Sequence, residues 1–194
     1  MKIRATFSFL IALSALFITA SCGKSEFEYS GEQCYFVFDN STHLDATLQS
    51  ALNQASPGVF CRVSLATEGG ATVFCFDSNQ GLSSKQKANA VDLRRSIVLG
   101  VYNKSGIIVG YGNLNNPATL YAYDSQCPNC YYSTNSPSYR LTMTSAGHAV
   151  CGKCKREYDL NNRGIVVKGD EGRKLMRYRV TCTGALGVLS VNNR

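Results

Sequence analysis

The sequence predicts an all-β fold. Short runs rich in Val, Ile, Tyr, Phe and Thr recur along the chain, Gly, Asn and Ser punctuate the gaps between them, and only two segments carry any helical pattern. Antiparallel hairpins closing into a sandwich or barrel are what such a rhythm builds.

The runs at 34–38, 59–65 and 71–76 come first. Glu68-Gly69-Gly70 reads as the turn of a hairpin joining the last two, and Cys61 and Cys75 flank it, so a disulfide between them is expected, with buried free thiols as the alternative. Runs at 97–102, 106–111 and 120–123 follow, and then 139–142, 165–168, 174–181 and 186–191. Leu44, Leu48 and Leu52 mark one apolar face of a helix over 44–54, ended by Pro57 and Gly58. The polar segment 83–94 is the second helical candidate. Neither an internal repeat nor a low-complexity tract is present.

At the N-terminus Lys2 and Arg4 precede an apolar run at 7–18, followed by Thr19-Ala20-Ser21-Cys22. The run is too short to span a bilayer and reads as a cleaved signal. Its ending resembles a bacterial lipoprotein lipobox, with Thr19 where a leucine is usual. The resemblance implies a signal peptide at 1–21, lipidation of Cys22, and a tether at 22–33 holding the protein to a membrane of the cell envelope, periplasmic or surface-facing. Removing 21 of 194 residues leaves 173, enough for one core, so 34–194 is expected to be one β domain. Without Lys2 and Arg4 the net charge of +7 falls to +5, and the basic residues are scattered, so nucleic acid is not an expected partner.

Of nine cysteines, Cys22 goes to lipid and eight remain to be assigned. Two pairs, Cys127-Pro128-Asn129-Cys130 and Cys151-Gly152-Lys153-Cys154, stand 20 residues apart on loops that follow strands. A C-x-x-C pair brings two sulfurs within a few ångströms of each other, and a chain reversal brings two such pairs to one centre, a tetrahedral all-sulfur cage suited to zinc or iron. The alternative is two local disulfides, strained because each closes a very small ring. Cys34, Cys61, Cys75 and Cys182 are left, with three possible pairings.

Between Tyr121 and Tyr178 the chain resembles a Rieske domain. Tyr121-Ala122-Tyr123-Asp124-Ser125-Gln126-Cys127-Pro128-Asn129-Cys130 is similar to the strand entering that family's C-x-H ligand loop. The stretch from Cys151 to Asp159 is similar to its C-x-x-H loop, and 163–169 and 175–180 to the strands that follow. The resemblance implies a Rieske-like antiparallel sandwich or barrel with a small two-loop metal-binding subdomain of rubredoxin or zinc-ribbon type, its ligands within 121–159. Rieske clusters bind through two cysteines and two histidines. Here Asn129 stands at the first histidine's place, Cys154 at the second's, and the only histidines, His43 and His148, match neither. Cys127 and Cys151 correspond to family ligands; Cys130 and Cys154 are added on spacing and chemistry.

Four thiolates would lower the potential of a [2Fe-2S] cluster relative to the Rieske type. Lys153, Lys155 and Arg156 stand ready to offset their charge, and Tyr131 and Tyr132 to cover the site or form a docking surface. The signal lacks the adjacent arginines that exported Rieske proteins often carry, which favours a metal acquired outside the cytoplasm. Zinc is therefore expected first, a [2Fe-2S] cluster second and a single rubredoxin-like iron third. No Gly-x-Ser-x-Gly, His-Glu-x-x-His or phosphate-cradling loop is present. The expected function is a non-catalytic, membrane-anchored lipoprotein with a structural metal site and an envelope protein as partner; the alternative is an electron carrier.

Overall fold

Two almost continuously apolar runs, β5 (Ile107–Gly112) and β6 (Thr119–Asp124), build the centre of the molecule. Such runs need cover on both faces. The structure is a computed structural model that describes residues 28–193, so the expected signal peptide and Cys22 lie outside the described residues.

The chain enters through β1 (Tyr35–Asp39) and two short helices, α1 (Asn40–His43) and α2 (Ala46–Ala51). A long hairpin follows, β2 (Phe60–Glu68) and β3 (Ala71–Ser78), then β4 (Ser83–Lys87). After β5 and β6 come α3 (Pro128–Thr134) and four short strands, β7 (Leu141–Met143), β8 (His148–Cys151), β9 (Glu157–Asp159) and β10 (Ile165–Lys168). β11 (Arg177–Cys182) and β12 (Val188–Asn192) complete the chain. Eight strands form one curled antiparallel sheet in the order β1-β12-β11-β6-β5-β2-β3-β4, and β10-β9-β8-β7 form a second, small sheet. β6 and β11 are neighbours in the large sheet, and the small sheet is the excursion between them.

Alternate residues of the central strands serve two cores. Ile107, Val109 and Ala122 join the cluster under α2 with Phe36, Phe38, Leu48 and Phe74. Ile108, Tyr121 and Tyr123 point the other way and pack with Tyr158, Leu160 and three of the paired cysteines. Each large side chain so buried contributes about 1.5–3 kcal/mol.

Several expectations are corrected. The segment 83–94 is helical only at its end, in a short 3-10 turn at Asp92–Arg94: β4 pairs with β3, and its alternation is masked because Ser84 and Gln86 point inward to the buried Asp45 carboxylate (2.9 and 3.1 Å). The helix over 44–54 is shorter, because Leu44 turns left-handed (φ 54°) and Asp45 restarts the helix by accepting from the Leu48 N–H. The run 97–102 holds one bridge, Val98 to Tyr35, and no strand. The Cys61–Cys75 disulfide is absent. The turn at Gly69-Gly70, both at positive φ, sets Glu68 opposite Ala71; Cys61 then meets Ser78 and Cys75 meets Ser64. Positions 61 and 64 face opposite sides of β2, and both thiols are free.

Candidate metal centre

Cys127 caps the start of α3, and Pro128, at the first helical position, has its φ already set for the turn. Three residues on, Cys130 returns to the same side. The helix is about two turns long: Ser133 and Thr134 bond back to the Cys130 carbonyl, and Asn135 ends it at φ 50°. The first pair is therefore helical rather than on a loop. The second pair leaves β8 at Cys151 and turns tightly, with the Lys155 N–H donating to the Cys151 carbonyl (3.0 Å) and the Cys151 N–H to the Arg156 carbonyl (2.9 Å).

The four sulfurs of Cys127, Cys130, Cys151 and Cys154 lie within 4.8 Å of one another. The contacts across the two pairs are 3.7 Å (Cys127 to Cys154) and 3.8 Å (Cys130 to Cys151). A tetrahedral ion with Zn–S bonds of about 2.3 Å has S···S edges of about 3.8 Å, so the donor set fits a single tetrahedral ion. Only Cys154 is partly exposed; the other three are buried.

Burial pushes the Cys127 thiol up to about 11, against the pull of the Tyr158 hydroxyl and the Cys130 N–H, and it raises Cys130 strongly. At Cys154 burial is outweighed by the Arg156 N–H and guanidinium, helped by the thiols of Cys151 and Cys127, and the group falls to about 7. Cys154 thus ionises more readily than Cys127 and Cys130, whose thiols give up their protons when a cation replaces the lost solvent.

A shell of hydrogen bonds surrounds the sulfurs. The Tyr158 hydroxyl contacts Cys127 Sγ (3.2 Å) and accepts from Asn129 Nδ2 (2.9 Å). The Asn129 carboxamide is itself paired both ways with the backbone of Arg173, at 2.9 Å each. Arg156 donates to the carbonyls of Asp170 (2.9 Å) and Glu171 (3.1 Å). The segment 169–173 is thereby fastened over both cysteine pairs.

Every cysteine of the two pairs is thus brought to one centre, while Cys34, Cys61, Cys75 and Cys182 are free and apart from it. Of the expected charge partners Arg156 alone reaches a sulfur; Lys153 and Lys155 are exposed. Tyr132 is exposed beneath the Arg173 guanidinium rather than over the cluster. The histidines stand elsewhere, His43 on Asp92 and His148 on Glu157. Sequence reasoning missed the roles of Tyr158 and Asn129; the lone buried aromatic between Glu157 and Asp159 was the available signal.

No protein-family model matches this chain, and no curated protein matches it either. Fold and site define an all-β protein with a four-cysteine cluster positioned to hold a metal ion.

Proposed function

We propose that the chain is a non-catalytic, lipid-anchored envelope protein, a Rieske-like β domain whose four cysteines hold a structural zinc ion. The spacing of the sulfurs carries this reading, since all four lie within 4.8 Å of one another. In a [2Fe-2S] cluster the thiolates on different irons stand apart by the width of the iron–sulfide core, and so compact a set supports a single ion instead. All four ligands come from the protein, as in closed structural sites, and none is left for substrate.

Bound there, zinc supplies four strong cross-links and no redox chemistry. Cys127 and Cys130 belong to the segment leaving β6 of the large sheet, whereas Cys151 and Cys154 end β8 of the small one. Joining them fixes the small sheet on the face of the large sheet opposite α2. Tyr158 and Asn129 orient Cys127, and Arg156 balances charge at Cys154. We further propose that Cys22 carries acyl chains and that the residues between it and Glu28 tether the domain to the membrane, where it meets a protein partner; residues 28–31, expected in the tether, pack against β11 instead.

Elemental analysis, visible absorption and intact mass of one exported preparation test this. One zinc per chain, no visible band and acyl mass on a chain beginning at Cys22 are expected. Two irons with acid-labile sulfide, or no metal with all four thiols oxidised, would overturn the metal assignment; an unacylated chain would overturn the anchor.

A further inference from the structure

A cleft of about 540 Å³ opens where residues 28–31, α3 and the entry to β11 meet. That volume lies in the range of small-molecule sites. Among the described residues, Arg173, Arg177 and Arg179 line it together with one carboxylate, Glu28. Leu175 and Met176, both buried, line it from the core side.

Three of the guanidiniums stand over aromatic rings. Arg173 lies 4.9 Å above the Tyr132 ring, Arg179 5.0 Å from Tyr29, and Arg177 sits between Tyr29 (5.1 Å) and Tyr121 (5.0 Å). Stacking fixes the plane of a guanidinium and leaves its N–H edge free to donate. Glu28 takes one amino group of Arg177 (2.9 Å), while the buried Nε of that side chain has no acceptor. Among the described residues no carboxylate engages the side chains of Arg173 or Arg179. Several fixed forks around an excess of positive charge match a group with two negative charges and several oxygens.

We infer that this cleft binds a phosphate group. Its N-terminal wall, Glu28 to Gly31, begins six residues after Cys22, at most about 20 Å of extended chain, so on the anchored reading a phospholipid headgroup is the nearer source. Free phosphate offers the same chemistry, and the cleft itself depends on neither the anchor nor the metal assignment.

The test uses the chain carrying Cys22→Ser, which has no acyl group to insert, with its metal content measured on the same sample. Inorganic phosphate is titrated calorimetrically, and co-sedimentation is measured with phosphatidylcholine vesicles with and without phosphatidylglycerol. Arg173→Gln/Arg179→Gln removes two exposed forks but keeps the backbone bonds to Asn129; Arg179→Gln alone serves if the double variant does not fold. Lys87→Gln/Lys104→Gln removes equal charge outside the cleft. Binding of phosphate, of phosphatidylglycerol vesicles or of both, weakened about tenfold or more by the arginine variants and less than about twofold by the lysine pair, is the expected result. Phosphate binding alone would identify a soluble ligand, and vesicle binding alone a headgroup. No binding to either, or equal loss in the arginine and lysine variants, would overturn the proposal.

Discussion

Asp124 shows how one buried carboxylate is both accommodated and costly. It is fully buried at the end of β6; Oδ2 accepts from the Val101 N–H (2.7 Å) and the Tyr178 hydroxyl (2.9 Å), and Oδ1 from the Gln126 N–H (2.7 Å). Room for it comes from Gly100, at φ +66°, where an added Cβ would fall 2.1 Å from Oδ2. Burial raises the group to about 6, despite those three donors. In the unfolded chain it titrates near its ordinary value of about 3.9. Between those values the folded protein binds the proton more tightly, so this residue's contribution is greatest below about pH 4 and is lost as the pH rises through about 6. About two pH units correspond to about 3 kcal/mol. Comparison of wild type with Asp124→Asn by urea unfolding, each with its metal bound, isolates the effect. The variant should be more destabilised relative to wild type at pH 4.5 than at pH 7, by about 2 kcal/mol of that full effect. An unchanged difference would mean that Asp124 titrates normally.

Among the elements, the segment 169–173 has no regular structure yet holds both cysteine pairs in place. Its closeness to α3 requires Gly172, where an added Cβ would lie 2.4 Å from Asn129 Oδ1. Gly172→Ala should push that carboxamide off the Arg173 backbone, costing about 1–2 kcal/mol in thermal unfolding and about tenfold in metal affinity by chelator competition. Unchanged metal affinity would show that Tyr158 is oriented without Asn129. This part of the site was not legible in the sequence, because Asn129, Tyr158 and Arg173 are brought together only by the fold. The cysteine pairs were legible because C-x-x-C spacing is local. Most strands were readable for a related reason: runs such as 71–76 and 165–168 carry their own β-branched and aromatic side chains. β4 escaped notice because its inward residues are Ser84 and Gln86, serving Asp45 instead of an apolar core. β9 escaped because its single inward residue, Tyr158, is flanked by acids. α3 was read as a loop because Pro128 usually breaks a helix, whereas at the first turn it starts one.

At the scale of the whole molecule, the two cores do not depend equally on the metal site. The cluster under α2 contains none of the four paired cysteines and draws on β1, β2, β3, β5 and β12. The other contains Cys127, Cys130 and Cys151, and the strands that close over it are three or four residues long. Short strands of that kind are marginal alone. Beyond the cysteines the small sheet has a few buried ties, among them the Tyr123 hydroxyl to the Leu160 carbonyl (3.0 Å) and Arg62 to the Leu141 carbonyl (3.3 Å). Loss of the ion removes the cross-links between the two sheets, and strands this short then open to water before the large sheet does. Chelation under reducing conditions should therefore abolish amide protection across 141–168 while β1, β2, β5 and β12 still exchange slowly. Far-UV circular dichroism should fall only in part. Hydrogen exchange with mass detection at the level of peptides reads this directly. Uniform loss of protection would mean that β5 and β6, shared by both cores, couple them into one cooperative unit; no change at all would mean that aromatic packing around Tyr158 holds the sheet without the ion.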